Sequence, residues 1–323
     1  MTVPPYLHTI PVPTPFSVGP VNVYLAEGSL LTLVDTGPRF DPARQSLADG
    51  LAALGYQPSD LQQIILTHAH SDHWGLAAEL AAASGARVLT HPMNAAEMAG
   101  NVVERESRTA FYAAVAQEAG VPPAVIAQIE QSRQGFGQFT QPLQTEGTLV
   151  EGTMLLLGDE AWQVLYTPGH TRGLICLYHP RRRVLLSSDH LLADISSNPV
   201  IEPPERKGNA RPRPLLDYVA SLQRVAQLPV DIALPGHGPP VTNPRELIAR
   251  RIAFHQERAQ HILEALREET RTIYEISLLL FPSLDPINRF LAISEIIGHL
   301  EWLEVQGKAR SEMQGPLRIW KKV

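Results

Sequence analysis

The sequence predicts an α/β fold, in which a layered domain of sheets and helices is followed by a smaller, mainly helical region. Short apolar runs alternate with helical patterns over about the first 90 residues, a rhythm that is typical of layered α/β domains. After residue 243, apolar residues recur at helical spacing over long stretches, which predicts amphipathic helices. A length of 323 residues allows one large domain or two, with a sizeable buried core.

Local sequence signals predict where helices and turns begin and end in the first part of the chain. Asp41 followed by Pro42 is a helix start, and Gly55 is a helix stop. The dipeptide Gly28-Ser29 between two apolar runs predicts a hairpin. The elements predicted up to residue 90 are strands 21–27 and 30–35, helix 41–54, strand 61–67, helix 74–83 and strand 86–90.

Residues 92–143 interrupt this alternation. Short helices are predicted at 95–98, 108–119 and 123–131, followed by a flexible glycine-containing segment at 135–142. Because an insertion between core strands lies near the strand ends, we interpret it as a helical lid over a substrate. Its aromatic side chains either contact that substrate or only bury the insertion on the core. They are Phe111, Tyr112, Phe136 and Phe139.

The chain after the insertion predicts a second sheet. Between its later elements, residues 194–213 contain four prolines and several charges. A loop of this length without regular structure is often functional. The predicted elements are strands 154–157, 162–166, 174–179 and 184–187, helix 214–227 and strand 230–234.

The C-terminal region predicts helices followed by a small hairpin. Asn243, with Pro244 after it and Glu246 at the capping-box position, starts the first helix. Helices followed by two short strands suggest a winged helix. The later elements are helices 272–280 and 291–306 and strands 308–311 and 317–320.

The stretch IILTHAHSDHWG, residues 64–75, predicts a metal site. An apolar strand leads into a loop with four potential ligands within six residues, which are His68, His70, Asp72 and His73. Side chains two apart on an extended backbone point the same way, so His68 and His70 can bind one ion. The turn that follows can direct Asp72 and His73 at a second ion. One loop therefore serves two metals.

Further candidate ligands follow other predicted strands. His170 in YTPGHTRG, Asp189 in LLSSDH and His237 in ALPGHG each come just after an apolar run. Asp35 in LTLVDTG ends another strand, so five loops are expected to converge on one rim. This ordered set of motifs, over roughly the first 240 residues, resembles the metallo-β-lactamase superfamily. His91 and His190 lie beside the predicted rim and are weaker candidates for lining it.

The resemblance implies a four-layer αββα metallo-β-lactamase sandwich with a helical insertion, plus an α+β winged-helix C-terminal domain. It implies a catalytic domain at 1–242, with the insertion or lid at 92–143, and a helical and winged-helix domain at 243–323. It also implies two divalent ions, with Asp35 orienting a ligand imidazole of the HxHxDH loop. The implied ligands are His68, His70 and His170 for the first ion, Asp72, His73 and His237 for the second, and Asp189 as a bridge between them.

The ligand types indicate the metal and the reaction. Imidazole and carboxylate without thiolate suit Zn²⁺, Mn²⁺ or Fe²⁺, and we take Zn²⁺ as the first expectation. A pair of such ions about 3.5 to 4 Å apart lowers the pKa of a bridging water, so that hydroxide is available near neutral pH. Asp72 can also exchange a proton with the leaving group. A metal-dependent hydrolase without a protein nucleophile is therefore predicted.

Three functions stay open. An acyl substrate is favoured by the apolar insertion and the acidic charge: an ester, a thioester as in the glyoxalase II branch, or a lactone as in the quorum-quenching branch. An endoribonuclease or phosphodiesterase is the second, because the C-terminal region resembles the module of the mitochondrial β-lactamase-like endoribonuclease branch. Helix 291–306 has Glu295, Glu301 and Glu304 but no lysine or arginine, which disfavours nucleic acid. Nucleic acid stays possible because the following hairpin carries Lys308, Arg310, Arg318, Lys321 and Lys322. The third is a non-catalytic, metal-stabilised interaction module.

Composition sets the remaining expectations. Apolar residues make up 44% and charged residues 19%, which is ordinary for a soluble globular protein. The net charge of −6 opposes binding of a polyanion. No apolar run is long enough to span a bilayer, no secretory signal pattern opens the chain, and the single Cys176 allows no internal disulfide. A cytoplasmic protein outside membranes is therefore expected, with a small-molecule substrate, and a homodimer is left open.

Overall fold

The computed structural model describes residues 3–100, 102–205, 208–267 and 269–323, without the side chains of residues 102–105 and 147. Short 3₁₀ helices cover Pro58–Asp60 and Gly135–Phe139. The α-helices, in chain order, are α1 (Asp41–Ala53), α2 (Ser71–Trp74), α3 (Ala77–Ser84), α4 (Pro92–Met98), α5 (Val102–Glu118), α6 (Pro123–Gln134), α7 (Pro214–Val225), α8 (Pro244–Ala265), α9 (Ile273–Leu280) and α10 (Pro286–Val305).

The first sheet contains the strand that leads into the predicted metal loop. The β2–β3 hairpin is antiparallel, as predicted, and β3 to β6 pair in parallel. Strands β1 and β6 were not predicted, because Pro11 interrupts the first and the second has only two residues. In spatial order the strands are β1 (Leu7–Val12), β2 (Val21–Ala26), β3 (Thr32–Val34), β4 (Gln63–Leu66), β5 (Arg87–Thr90) and β6 (Gly147–Thr148).

The second sheet is formed by the strands that follow the insertion. In spatial order it contains β11 (Ile232–Pro235), β10 (Val184–Ser188), β9 (Ile175–His179), β8 (Glu160–Tyr166) and β7 (Met154–Leu157). Each prediction agrees to within two residues at either end. Strands β10 and β11 are parallel, so their carboxyl ends lie side by side. Asp189 and His237 follow these two ends.

The two sheets face each other across an apolar core and carry helices on their outer sides. Side chains of both sheets share this core, for example Ile65 of β4 and Leu186 of β10. Helices α1 and α3 pack on the outer face of the first sheet, and α7 and α8 pack on that of the second. Full burial of an aliphatic side chain stabilises the fold by about 1.5–3 kcal/mol. This is the predicted order of helix, sheet, sheet and helix.

The insertion forms the predicted helices, but the last segment differs from the prediction. Residues 135–142 were predicted to be flexible, and they contain the 3₁₀ helix Gly135–Phe139. Aromatic contacts order it: Phe136 and Phe139 each lie 5.2 Å from the Phe16 ring, between ring centroids. Tyr112 of α5 instead packs against Phe290 of α10, and the neighbouring Phe111 joins the same apolar cluster. The aromatic side chains of the insertion therefore divide into two pairs with different surroundings.

In the C-terminal region, α8 starts at Pro244 as predicted, but its capping and the start of α10 differ from the prediction. The capping box at Asn243 was wrong: Asn243 makes no side-chain cap bond, and its φ of −126° and ψ of 66° leave the extended region of a capping residue. A capping box is formed instead by Thr272 and Glu275 at the start of α9. Helix α10 begins at Pro286, before the predicted residue 291, because the Asp285 side chain accepts the Asn288 amide and caps it.

Helix α10 lies inside the protein. It packs against α6, α7 and α8, and its Glu301 is buried and pairs with Arg211 at 2.5 Å. The region continues with β13 (Ala309–Gln314) and β14 (Leu317–Lys322), which form a sheet with β12 (Arg271–Thr272) in the order β12-β14-β13. The winged-helix assignment stays a prediction. None of the helices in the described part of the chain has the length and apolar character needed to cross a bilayer.

Candidate metal centre

The end of β4 and the first turn of α2 position four of the predicted ligands. His68 follows the buried strand closely and is fully buried itself. His70 is the last extended residue before α2, and Asp72 and His73 lie in its first turn. Helix α2 starts at Ser71, three residues before the predicted helix start. Because the backbone changes from extended to helical at Ser71, His68 and His70 point in one direction and Asp72 and His73 in another.

The predicted ligands come together as two groups whose ligand atoms lie within 4.8 Å of one another. Within the first group, His70 Nδ1 and His170 Nε2 are 2.9 Å apart. Within the second, His237 Nε2 lies 3.3 Å from Asp72 Oδ2. The groups are His68, His70 and His170, and Asp72, His73 and His237.

Asp189 lies between the two groups. Its Oδ2 is 3.5 Å from His170 Nε2 and 3.7 Å from His237 Nε2. Its Oδ1 is 3.4 Å from His73 Nε2, and it forms a third group of close ligand atoms with His68 and His73. The Asp189 carboxylate thus contacts histidines of both groups.

Four of these histidines are held through their second ring nitrogen. When Nδ1 donates a hydrogen bond outward, Nε2 faces the centre and can bind a cation once it carries no proton. Asp35 therefore orients an imidazole of the HxHxDH loop, as expected. The distances from Nδ1 are 2.8 Å from His73 to Asp35 Oδ2, 2.8 Å from His237 to the Pro20 carbonyl, 3.0 Å from His170 to the Asn198 carbonyl and 3.1 Å from His68 to Thr67 Oγ1.

The atoms that face the centre fit a divalent cation. Nε2 of His68, His73 and His237 is buried and has no hydrogen-bond partner among the residues that the structure describes. The same holds for Oδ1 of Asp189. A buried polar atom without a partner costs about 1–3 kcal/mol, and a cation shared by these atoms would remove that cost. Imidazole and carboxylate without thiolate are a donor set that suits Zn²⁺, Mn²⁺ or Fe²⁺.

Burial and neighbouring charges set the protonation of the centre. Burial, more than the nearby imidazoles, lowers the pKa of His70 to about 3, so this ring is neutral at physiological pH. Burial also opposes the charged form of His73, but the carboxylates of Asp189 and Asp35 outweigh it and hold the pKa of His73 well above its usual value. A metal ion that binds His73 must therefore displace a proton.

Metal affinity is expected to fall as the pH is lowered. Because the pKa of His73 is raised, this ring holds a proton until the pH rises past that pKa, and a ligand must be unprotonated. The logarithm of the Zn²⁺ association constant should therefore rise by up to about one unit per pH unit for each proton displaced. Chelator competition across neutral pH, with calorimetry in buffers of different ionisation enthalpy, measures both slope and proton release. An affinity that does not change with pH would contradict a protonated His73.

Ser188 has an unusual backbone conformation beside Asp189. Its φ is 45°, in the left-handed region that serine rarely adopts. A register shift accompanies it where β10 pairs with β11, and such irregularities often re-aim side chains at active sites. The Ser188 hydroxyl lies 2.7 Å from Thr67 Oγ1 and 3.4 Å from His68 Nδ1. Thr67 Oγ1 donates its proton to the Asp35 carboxylate, so it accepts the hydrogen bond from Ser188. Both hydroxyl oxygens lie beside His68 Nδ1 and can accept its proton.

Two Ser188 variants are expected to separate strain from hydrogen bonding. Ser188→Gly and Ser188→Ala both lose the hydroxyl, so both should bind Zn²⁺ about tenfold more weakly. Glycine adopts a φ of 45° without strain, whereas alanine does not. Ser188→Gly should therefore be more stable than Ser188→Ala by about 1–2 kcal/mol. Urea unfolding of the metal-free proteins and chelator competition measure the two effects. Equal stability would contradict the strain, and unchanged affinity would contradict the role of the hydroxyl.

The two weaker histidine candidates lie outside the ligand groups. His190 is buried and packs against the Tyr218 ring, with 5.6 Å between centroids. His91 stacks on Tyr166 at 4.4 Å. Of the residues that hold the ligands, Asp35 was predicted and the others were not. Thr67 could have been found from its place beside His68, whereas the Asn198 carbonyl has no signal in the sequence.

Comparison with known proteins identifies the family. A family model described as the metallo-beta-lactamase superfamily matches residues 16–237. The chain belongs to the metallo-beta-lactamase superfamily. A relative that matches nearly the whole chain is the Probable metallo-hydrolase YqjP of Bacillus subtilis, 36% identical over 306 residues, or 95% of this chain and 94% of the relative. The protein is thus a metallo-hydrolase of this superfamily, whose members generally bind divalent metals.

Further comparisons cover the fold and part of the sequence. The crystal structure of a metallo-beta-lactamase family protein from Thermus thermophilus matches with a TM-score of 0.85 and 30% identity, over 99% of both chains. The mixed α/β metallo-beta-lactamase fold is therefore confirmed. A shorter match is the Hydroxyacylglutathione hydrolase of Rhizobium etli, 30% identical over 175 residues, or 53% of this chain and 62% of that protein.

Proposed function

We propose that this metallo-hydrolase cleaves an acyl compound, which is a thioester, an ester or a lactone, at a centre with two divalent cations. The position of Asp189, in contact with His170 of one ligand group and His73 of the other, carries the proposal. Zinc sites in proteins commonly take four ligands, so seven converging side chains exceed what one ion needs. We propose Zn²⁺ as the metal, with Mn²⁺ or Fe²⁺ as alternatives.

The residues of the chain have separate tasks in this proposal. Two cations, when bound, supply an activated water near neutral pH and polarise the oxygen of the scissile group. Asp35 and the Asn198 carbonyl keep the ligand rings in the tautomer that can bind. We assign Asp72 to proton exchange with the leaving group, because its side chain is 12% exposed whereas that of His73 is fully buried. This exposure lets a substrate reach the Asp72 side chain.

Two observations support an acyl substrate. The Rhizobium etli relative is named for a hydroxyacyl compound, and its similarity to this chain covers about half of the residues. In addition, Phe136 and Phe139 of the insertion form a partly exposed aromatic cluster with Phe16. Phe16 lies in the β1–β2 loop, whose Pro20 carbonyl accepts the hydrogen bond from His237. This cluster offers an apolar surface for the acyl group or its carrier.

We propose that residues 1–242 form the catalytic domain, with the lid at 92–143, and that residues 243–323 form a winged-helix domain. The element order helix, strand, helix, helix, strand, strand supports the second part. Its role is packing or association, because α10 is buried and its Glu301 is paired. Two cations of the hairpin are also paired, Arg318 with Glu118 and Lys321 with Glu312. Nucleic acid is therefore not favoured, and homodimer formation and a cytoplasmic location stay predictions.

The test is metal analysis of the purified protein followed by a panel of thioester, ester, lactone, phosphodiester and RNA substrates. Two equivalents of metal with turnover of an acyl substrate are the expected result. Turnover confined to phosphodiesters or RNA would replace the proposal with the endoribonuclease alternative. Full metal loading without turnover of any of them would indicate a non-catalytic, metal-stabilised interaction module.

A further inference from the structure

We infer that Ser294 of α10 is a positioning residue for the metal centre, and that it acts on the ligand His170 through residues 198–202. We call residues 198–202 the strap; it has no regular secondary structure. The inference rests on the proposed metal site. It gives the C-terminal region a part in that site, although the family match ends at residue 237.

One edge of the strap holds the turn that carries His170. The Asn198 carbonyl accepts a hydrogen bond from His170 Nδ1 at 3.0 Å, and the Val200 amide donates to the His170 carbonyl at 3.4 Å. Glu202 accepts the backbone amide of Arg172 at 3.1 Å and pairs with its Nε at 3.2 Å. The strap therefore fixes both the ring of His170 and the backbone around it.

Ser294 holds the opposite edge of the strap. Its hydroxyl donates to the Pro199 carbonyl at 3.1 Å and accepts from the Ile201 amide at 2.6 Å. The peptide group between Pro199 and Val200 is bonded on both sides, since its C=O accepts from Ser294 and its N–H donates to the His170 carbonyl. A single hydroxyl on the helix therefore bonds two peptide groups of the strap and holds the strap in place.

The burial of Ser294 makes its hydroxyl hard to replace. The residue is 1% exposed, so water does not easily take over its two hydrogen bonds. Without the hydroxyl, the Pro199 carbonyl and the Ile201 amide lose their partner in a buried place, and the strap must shift to find others. That shift moves the Asn198 carbonyl away from His170 Nδ1. Loss of such a partner typically costs 10–100-fold in metal affinity.

The test uses the full-length chain and Zn²⁺ alone as the probe. Ser294→Ala is expected to weaken Zn²⁺ binding to the metal-free protein about tenfold in chelator competition. The NMR signal of the His170 Nδ1 proton, protected in the Zn²⁺-loaded wild type, is expected to broaden through exchange with water. Ser277→Ala is the matched control, because Ser277 is also buried and bonds Tyr274 and Arg289 within the C-terminal region. It should lower Tm comparably and leave Zn²⁺ affinity unchanged.

The outcomes distinguish failure of the proposed metal site from failure of the role inferred for Ser294. A wild-type chain that binds no Zn²⁺ would overturn the proposed metal site and this inference with it. Wild-type binding that Ser294→Ala leaves unchanged would overturn the inference alone, as would an equal loss in Ser294→Ala and Ser277→Ala. If Ser294→Ala does not fold, Ser294→Cys carries the test, since its thiol has similar size but bonds weakly. It is expected to lose affinity by a smaller factor, and unchanged affinity would again overturn the inference.

Discussion

Asp189→Asn is expected to lower kcat/KM by about 10³-fold or more, which corresponds to about 4 kcal/mol of transition-state stabilisation. The Asp189 carboxylate touches both ligand groups, at 3.5 Å from His170 Nε2 and 3.4 Å from His73 Nε2. An asparagine amide has nearly the same shape but no charge. The variant would therefore lose the anionic group between the two ligand groups without losing volume, and the proposed cations would be held less tightly.

Kinetics and thermal unfolding together measure this effect. Zn²⁺ is expected to raise the Tm of the wild type because it binds the folded chain, and Asp189→Asn should lose most of that gain, measured against its own metal-free Tm. His68→Ala is expected to behave in the same way. His91→Gln is the control, because His91 stacks on Tyr166 and belongs to none of the ligand groups. Wild-type activity in both ligand variants would remove the two-cation mechanism.

Gly236→Ala is expected to disrupt the centre through packing alone. A Cβ at residue 236 would lie 2.3 Å from Asp189 Oδ1 and 2.8 Å from His73 Cε1, closer than a real methyl group approaches other atoms. Asp189 and His73 are both buried, so at least one of the two side chains must move. A displacement of about 1 Å at reacting groups can cost about 10²-fold in rate. The variant should therefore lose one metal equivalent and at least this much activity.

Gly135→Ala is the matched control for this variant. A Cβ at residue 135 meets no atom within 4 Å, so both metal equivalents and the activity should be retained. Metal content after dialysis, measured by atomic emission, and turnover of the best acyl substrate are compared for the two variants. Full metal content in Gly236→Ala would show that the space around Asp189 is wider than the structure indicates.

The strands were predictable where burial on both faces left continuous apolar runs. Strands β9 and β10, which are buried at every residue, were located within one residue for this reason. Strand β1 was missed because Pro11 interrupts its pattern, and the capping box at Asn243 was wrong because its backbone adopts another conformation. Local sequence signals compete with tertiary contacts at such positions, and the contacts decide which signal is used.

The ligand candidates were predictable because metal binding needs particular side chains. Histidine and aspartate at the ends of apolar runs are recognisable one by one, and His68, Asp189 and His237 all follow buried strands. The groups that orient them are mostly backbone carbonyls, such as those of Pro20 and Asn198. Every residue has a carbonyl, so no residue type marks the ones that are used.

The sequence by itself determined the seven candidate side chains and the kind of fold, because its ordered motifs resemble those of the metallo-β-lactamase superfamily. Only the tertiary structure decided that Asp189 lies between two groups and that α10 is buried against the strap. Those facts depend on contacts between distant parts of the chain, such as Pro20 with His237 across 217 residues. Many of these contacts use backbone carbonyls, which every residue has, so only the packing of the folded chain decides which carbonyl is used.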